Sequence, residues 1–409
     1  MKAYERFLQY IAVPSASDET SETCPSTSCQ RDFAERLCGE MLRLGIADAR
    51  VDENGYVYGS IPATVKHPCP VLGFIAHMDV VGDVPSQPVH PRLIPDYDGG
   101  PIRLNETRTT DPADVPVLNR YRGKTLIVTD GNTILGADDK AGIAEILTMA
   151  EIFLNNPSLP HGEIRIAFTP DEEIGRGADR FDVAGFGADF AYTLDGAGFG
   201  EVEYETFNAY ACTVTVHGLS IHPGEAKNRM KNSCEIAMEF HAMLPANEKP
   251  QHTDGYEGFY HLTDLAGQVE TCTMHYILRD HDAGKIQQRC QTMQRIAAEL
   301  NARYGEGTVE VEIRESYRNM AEVIRENFHL IDTAFEAVRQ LGGTPVSAPV
   351  RGGTDGSRLS FMGLPCPNLG TGSHLHHGRQ EFACAEDMER CAELAVKIAG
   401  LYADPNWKK

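Results

Sequence analysis

Apolar residues recur every three to four positions in several stretches of the chain, which is the spacing of one helical face. Residues 3–12 show this pattern, and it predicts a helix near the start of the chain. Further helices are predicted at about 30–44, 141–153, 230–243, 283–303 and 385–402. Gly45 directly follows the second helix, and glycine often ends helices because it accepts a positive φ.

Short, continuous apolar runs predict buried strands between these helices. The runs lie at 71–76, 125–129, 164–169 and 190–194. Apolar strands that alternate with helices are typical of one mostly parallel sheet covered by helices. The segment 82–124 interrupts the pattern, because it is rich in Pro, Asp and Arg and has little periodicity. A segment of that length often lines a functional site.

The pattern changes at about Phe207. Three strands are predicted at 211–216, 267–273 and 274–278, alongside the helices at 230–243 and 283–303. This mixture is typical of an α+β open-faced sandwich, in which a sheet carries helices on one side. We therefore predict an α/β domain formed by residues 1–206 and 319–409, with an inserted α+β domain at 207–318.

Composition and charge exclude several classes of partner. The 409 residues carry a formal net charge of −22 and no basic stretch, which argues against nucleic acid. No segment approaches the roughly 20 apolar residues of a membrane span. The N-terminus lacks the apolar run of a signal peptide, and the 11 cysteines form no C-x-x-C pair. We expect a cytoplasmic protein with reduced cysteines.

Polar residues that can bind metal lie near the ends of the predicted strands. His77 and Asp79 follow the first strand, and residues two apart in an extended chain share one face. Because a metal-binding imidazole normally donates its second N–H to a carboxylate, Asp79 is placed to orient His77. Asp138 and Asp139 lie in GADDKAG, just before the predicted helix at 141–153.

Three later motifs continue this series: TPDEEIG after a strand, the end of AYTLD, and GSHLHHG near the C-terminus. Their candidate residues are Asp171, Glu172, Glu173, Asp195, His374, His376 and His377. Singly, these motifs have ordinary explanations, such as a helix cap, a solvated acidic loop or a chance histidine tract. Together they place imidazoles and carboxylates at one edge of one sheet, a donor set that suits zinc, with manganese or cobalt as substitutes. Three carboxylates and a hydroxide would balance two such ions.

The ordered motifs HMD, GADDKAG, PDEEIG, the Asp that ends YTLD and a C-terminal His before Gly resemble those of the co-catalytic two-zinc exopeptidase family. That family includes glutamate carboxypeptidase, aminoacylase and succinyl-diaminopimelate desuccinylase. Stretches such as GYEGFYHL, IRESYRNM and RGGTDGSRLSFMGLPCPN resemble its tripeptide aminopeptidases in particular. The resemblance covers essentially the whole chain.

This resemblance implies a set of metal ligands. His77 and Asp195 would hold one zinc ion. Glu173 and His377 would hold the other, and Asp138 would bridge the two. The family often has a cis peptide bond directly after the bridging aspartate.

The resemblance also implies the roles of the neighbouring residues. Asp79 would orient His77, and Glu172 would be the general base that activates water. His377 is selected by aligning its His–Gly pair, and Glu381 and Phe382 after it, with those of the family, while His376 remains a rival ligand.

Residues of the inserted domain would complete the site. By resemblance, His222 reaches into the site of a partner subunit and stabilises the oxyanion, which implies a homodimer. Arg279 and Arg351 are candidates for binding a peptide carboxylate, because arginine binds carboxylates through two parallel hydrogen bonds. Both could equally be internal salt-bridge residues.

We therefore predict a metal-dependent aminopeptidase that releases the N-terminal residue of tripeptides. One alternative keeps the family but changes the substrate, to that of a dipeptidase, a carboxypeptidase or an N-acyl amino acid deacylase. A more distant alternative is a non-catalytic protein that binds metal or peptide. Such a protein would be expected to lack Glu172 or a ligand, whereas all these positions are filled.

Overall fold

The computed structural model describes residues 1–407, which fold as two compact units. The first unit contains Met1–Tyr204, Glu322–Ala348 and the chain from Thr354 onward. The second contains Glu205–Ala321 and the short segment Pro349–Gly353. Each unit has its own hydrophobic core.

Helices and strands alternate along most of the chain. The α-helices are α1 (Ala3–Tyr10), α2 (Ser28–Leu44), α3 (Ala137–Asn155), α4 (Val183–Phe186), α5 (Ser233–Ala242), α6 (Ala283–Tyr304), α7 (Ala321–Ile324), α8 (His329–Gln340), α9 (Asp355–Phe361) and α10 (Ala385–Tyr402). The strands are β1 (Arg50–Val51), β2 (Val57–Ile61), β3 (Leu72–His77), β4 (Arg92–Ile94), β5 (Ile102–Arg103), β6 (Thr109–Thr110), β7 (Leu126–Val128), β8 (Ile164–Thr169), β9 (Phe190–Gly196), β10 (Val202–Glu203), β11 (Asn208–His217), β12 (Phe259–Gly267), β13 (Thr271–Asp280), β14 (Val309–Tyr317), β15 (Asn368–Gly370), β16 (Ser373–His374) and β17 (Phe382–Cys384). Within residues 1–407, no helix combines the length and the apolar character needed to cross a membrane.

A seven-stranded sheet forms the centre of the first unit, in the order β1-β2-β8-β3-β9-β15-β10. Strands β8, β3, β9 and β15 run parallel, whereas β2 and β10 pair antiparallel with the two outer members of this group. All six residues of β3 are buried, which explains its continuous apolar run. The strands predicted at 71–76, 164–169 and 190–194 and the helix-covered α/β fold are confirmed.

Both faces of the main sheet are covered by side chains and helices. Phe74 of β3 stacks on Tyr192 of β9, with ring centroids 6.2 Å apart. Ile75 points to the opposite face, where it packs in a cluster with Tyr58 and Leu359. Helix α3 lies against β3 and β9, and α1 and α10 lie against α3. The central strands therefore have little freedom to shift, which favours precise placement of the residues that follow them.

A smaller sheet in the first unit has the order β16-β17-β7-β4. The strand predicted at 125–129 forms β7 of this sheet, so the expectation that it joins the main sheet is wrong. The physical reason is a separate hydrophobic cluster, in which Leu126 and Val128 pack with Tyr121 and Phe382.

The segment 82–124 supports the turn between β16 and β17. It forms three short strands, β4 to β6, and one 3-10 helix at Pro116–Tyr121. The side-chain amide of Gln380 donates to the carbonyl oxygen of Thr109 at 3.0 Å. The long segment thus lies against the turn that carries the C-terminal histidines.

The second unit is an open-faced sandwich, as predicted. Its antiparallel sheet has the order β12-β13-β11-β14. Alternate residues of β13, such as Met274 and Tyr276, are buried and pack with Ile236 of α5 and Met293 of α6. The helices therefore cover one face of the sheet.

One sequence expectation for the second unit is wrong in detail, and two of its strands were missed. The separate strands predicted at 267–273 and 274–278 are one strand, Thr271–Asp280, which follows a turn after β12. Strands β12 and β14 were not predicted. From Thr263 to Gly267, β12 has only exposed residues, so it lacks the apolar run that would have indicated it.

Candidate metal centre

Three neighbouring parallel strands deliver polar residues to one edge of the main sheet. His77 is the last residue of β3, Glu172 and Glu173 follow β8, and Asp195 lies near the end of β9. Ligands of open α/β sheets lie outside the carboxyl ends of the strands, and these residues meet there. His77 Nε2 lies 3.4 Å from Asp195 Oδ1 and 3.9 Å from Glu172 Oε2.

Asp138 is shared by two groups of possible ligands. Its Oδ1 lies 2.8 Å from His77 Nε2, and its Oδ2 lies 3.1 Å from His377 Nε2. The same His377 nitrogen is 2.9 Å from Glu173 Oε2. The donor atoms of His77, Asp138 and Asp195 lie within 4.8 Å of one another, as do those of Asp138, Glu173 and His377. A carboxylate with one oxygen in each group can bridge two metal ions.

The backbone at the start of α3 brings Asp138 close to the strand ends. Gly136 has a φ of 74°, which glycine adopts without steric cost. A Cβ on Gly142 would lie 2.0 Å from the carbonyl oxygen of Leu194 in β9, so only glycine permits this approach. The peptide bond between Asp138 and Asp139 is cis, as the family resemblance implies.

Of the three C-terminal histidines, His377 lies within the second ligand group. Its φ of 60° is a left-handed conformation that is uncommon outside glycine and concentrates at functional sites. His376 uses Nε2 in a 2.8 Å hydrogen bond with a serine hydroxyl, and its Nδ1 is 3.6 Å from Asp138 Oδ2. His374 is buried and shares a 2.5 Å hydrogen bond with the Tyr121 hydroxyl. The geometry favours His377 as the ligand.

Asp79 contacts both His77 and the loop after β8. Its carbonyl oxygen lies 3.1 Å from His77 Nδ1, and its carboxylate lies 3.5 Å from the same atom. The carboxylate also accepts the backbone N–H groups of Glu172 and Glu173, at 3.0 and 3.1 Å. Asp79 is therefore positioned to fix the imidazole and the acidic loop together.

The cluster concentrates negative charge in a buried space. Burial raises the pKa of Glu172 well above its ordinary value. Burial, reinforced by Asp138, raises the pKa of Glu173 to about 8. Hydrogen bonds to Asp138 and Glu173 raise the pKa of His377 to about 10. Because buried carboxylates ionise only beside compensating positive charge, the cluster has the electrostatic character of a cation site.

One oxygen of Glu173 indicates a missing partner. Its Oε1 is buried and has no hydrogen-bond partner within residues 1–407. An unpaired buried carboxylate oxygen is costly unless another group binds it. A metal ion held by Glu173 would satisfy this atom, so the residues present fit a metal site.

Comparison with known proteins shows which family this chain belongs to. Residues 125–400 match the model described as Peptidase family M20/M25/M40. Peptidase T of Desulfitobacterium hafniense is 52% identical over 402 residues, which is 98% of each chain. The chain belongs to this peptidase family, within its peptidase T group.

Solved structures share the fold of this M20 peptidase. A tripeptidase from Staphylococcus aureus superposes with a TM-score of 0.77, and aminopeptidase PepT from Bacillus cereus superposes with 0.76. Each is 23% identical to this chain, and each alignment covers 98% of both chains. The two-unit architecture is therefore shared by other peptidases.

The remaining predicted site residues of this M20 peptidase lie in the second unit. His222 is exposed, and its Nδ1 accepts the backbone N–H of Gly224 at 3.2 Å. Arg279 donates to the carbonyl oxygen of Leu278 at 3.0 Å and stacks on the ring of Tyr317.

Arg351 makes several contacts within the second unit. Its guanidinium donates to the carbonyl oxygens of Gly255 and Glu257, at 2.9 and 2.8 Å, and to the hydroxyl of Thr253 at 2.8 Å. It also lies over the ring of Phe207. These contacts give Arg351 an internal structural role, and its predicted role in substrate binding stays a prediction.

Two residues around the site make contacts that sequence reasoning did not predict. The carboxylate of Asp139 accepts the backbone N–H groups of His77 and Gly142, at 3.1 and 3.2 Å. The side-chain oxygen of Asn368 accepts the backbone N–H of Asp195 at 3.0 Å. The paired aspartates in GADDKAG were a signal for the first, but no sequence signal marks Asn368 because its contact depends on the pairing of β15 with β9.

The choice between His377 and His376 can be tested with matched alanine variants. If each group holds one ion, His377→Ala should remove one of the two, because the second group loses its imidazole. His376→Ala should retain both ions. Metal content after dialysis, measured by atomic emission, decides between them; the opposite pattern would make His376 the ligand.

Proposed function

We propose that this chain is a metal-dependent aminopeptidase that holds two zinc ions and releases the N-terminal residue of tripeptides. The observation that carries the proposal is the carboxylate of Asp138, which faces His77 with one oxygen and His377 with the other. In this proposal His77 and Asp195 complete the first metal site. Glu173 and His377 complete the second.

The donor set favours zinc among the divalent metals. Each site offers one imidazole nitrogen and carboxylate oxygens, a mixture that zinc binds readily and that manganese or cobalt also accept. Sites for magnesium or calcium are usually built from oxygen alone. The three carboxylates Asp138, Glu173 and Asp195 leave one positive charge on two divalent ions, which suits the binding of a hydroxide.

Two metal ions bound there would lower the pKa of a shared water molecule and polarise the scissile carbonyl. Glu172 would act as the general base, since its carboxylate lies 3.9 Å from His77 Nε2 at the rim of the first ligand group. It would take a proton from the attacking water and pass it to the leaving amine. The hydrogen bonds from its backbone N–H and that of Glu173 to Asp79 fix the backbone that carries this side chain.

The substrate assignment rests on the relatives. Peptidase T of Desulfitobacterium hafniense is 52% identical over nearly the whole chain, and the structural neighbours are described as a tripeptidase and an aminopeptidase. A dipeptidase, carboxypeptidase or deacylase would use the same metal site. The subgroup stretches, such as GYEGFYHL in the second unit, favour the tripeptide aminopeptidase among them.

We further propose that residues 207–318 act as a lid and dimerisation domain, and that His222 serves the active site of a partner subunit. Because Nδ1 of His222 accepts the Gly224 N–H, the neutral ring carries its proton on Nε2. An exposed imidazole with this tautomer is a ready donor for an oxyanion.

Replacement of the proposed base gives the first test. Glu172→Gln should keep both metal ions and lower kcat by about 10²–10⁴-fold, because the amide cannot accept the proton of water. Steady-state hydrolysis of trialanine and metal analysis of the same preparation provide the measurements. A fully active Glu172→Gln enzyme would rule out the assignment.

Chelation and substrate blocking test the reaction itself. Removal of the metals by a chelator should abolish hydrolysis of trialanine, and added Zn²⁺ should restore it. N-acetyl-trialanine should be a poor substrate, because an aminopeptidase requires a free α-amino group. Rapid cleavage of the acetylated peptide at its acyl bond would instead favour the deacylase, and release of the C-terminal residue would favour the carboxypeptidase.

A mixed-subunit experiment tests the role of His222. Glu172→Gln and His222→Ala chains should each form nearly inactive dimers. A mixed dimer should contain one intact site if His222 acts on the partner, because the chain with Glu172 then receives a normal His222. Equal co-expression should recover about a quarter of wild-type activity, since half of the dimers are mixed and each has one working site. No recovery would place His222 in its own chain's site, whereas a fully active His222→Ala dimer would place it outside catalysis.

A further inference from the structure

Glu381 is a buried carboxylate that the proposed reaction does not use. It directly precedes β17, and only 1% of its surface is exposed. Its Oε2 accepts the backbone N–H groups of Leu135 and Gly136, at 2.7 and 2.8 Å. Its Oε1 accepts those of Ala137 and Asp138, at 2.9 and 3.1 Å. Four consecutive amide groups thus occupy both oxygens, which leaves Glu381 a backbone acceptor rather than a metal ligand.

These four amides belong to residues 135–138, the segment that ends with the proposed bridging residue Asp138. They precede the regular turns of α3, since Asp138 and Asp139 have non-helical φ and ψ angles, and buried backbone N–H groups need an acceptor. Glu381 therefore fixes the backbone on which Asp138 is mounted. Sequence reasoning used Glu381 for alignment but gave it no chemical role, because its contacts lie about 245 residues earlier in the chain.

Glu381 also lies in the turn that carries His377. Its own backbone N–H donates to the carbonyl oxygen of Gly378 at 3.0 Å, so the turn is closed on itself. One side chain consequently links this turn to the start of α3. The linked segments carry His377 Nε2 and Asp138 Oδ2, which lie 3.1 Å apart.

We propose that Glu381 is a positioning residue that sets the separation of Asp138 and His377, and thereby the affinity for the metal ion that these two residues share with Glu173. This inference rests on the two-metal site proposed above. Residues around a metal centre that hold its ligands typically affect metal affinity or activity by about 10–100-fold.

The effect should be larger for this second ion than for the first, because the first uses only one of the two residues that Glu381 links, Asp138. His77 and Asp195, which complete the first group, lie on β3 and β9 in the interior of the main sheet. His377 lies instead on a turn, and 52% of its side chain is exposed. Loss of the link therefore frees His377 more than it frees the ligands mounted on strands.

The test is a zinc titration of metal-free protein, with bound ions counted per chain and affinities measured by competition with a chromophoric chelator. In Glu381→Gln, the amide nitrogen that replaces one oxygen would face two N–H donors. Affinity for the second ion should fall about 10–100-fold, and affinity for the first should fall less. Excess zinc should restore kcat, which a residue that touches substrate would not allow.

Glu386→Gln is the matched control. The Glu386 carboxylate also accepts a backbone N–H, that of Thr125 at 2.9 and 3.1 Å, but it contacts none of the metal-ligand loops. This variant should bind both ions with wild-type affinity. Glu381→Asp keeps the charge but is too short to reach all four amides, so it should weaken the second ion in the same direction if the glutamine variant does not fold.

Three results would overturn the inference. Glu381→Gln or Glu381→Asp could bind both ions as tightly as the wild type, or lose both ions equally. Glu386→Gln could weaken the second ion as much as the Glu381 variants do. A wild-type protein that binds fewer than two ions would overturn the two-metal proposal itself, and that outcome is read from the wild-type titration alone.

Discussion

One carboxylate, that of Asp138, faces an imidazole with each of its oxygens, and the rest of the site is arranged around this contact. Glu173 and Asp195 complete the two ligand groups. Burial raises the pKa of both, to about 8 for Glu173. Such a cluster is unfavourable when its charges are uncompensated. Cation binding and the close approach of these acids therefore depend on each other.

The chain holds this cluster with carboxylates that are not proposed ligands. Asp79 accepts the N–H groups of the loop after β8, Asp139 accepts the N–H of His77, and Glu381 accepts four N–H groups before and at Asp138. Backbone amides are suitable partners because they are fixed dipoles and carry no proton that titrates near neutral pH. Because backbone amides hold the segments that bear the ligands, these segments need no salt bridge from Lys or Arg to the ligand carboxylates, which would compete with a metal for the same acids.

The sequence predicts much of this arrangement, because its signals are local. Apolar runs reveal β3, β8 and β9, and the polar residues directly after them must meet where parallel strands end. The position of β7 is different, since its pairing with β17 depends on a cluster of residues far apart in the chain. The contacts of Arg351 could not be predicted from the sequence either. Its contacts with Gly255 and Glu257 arise from folding, and nothing in RGGTDG indicates them.

The chemistry of the cluster also limits what the first unit supplies. Carboxylates are acceptors when ionised, and an imidazole nitrogen that binds metal cannot donate a proton at the same time. Apart from the metals, a donor for a negatively charged intermediate therefore has to come from outside this set of ligands. The second unit offers His222, whose Nδ1 is occupied by the Gly224 N–H and whose Nε2 is left as the donor of the neutral ring. In the proposed function, the main sheet would carry metal binding and His222 of a partner subunit would stabilise the intermediate, which would give the inserted domain a chemical role in addition to a structural one.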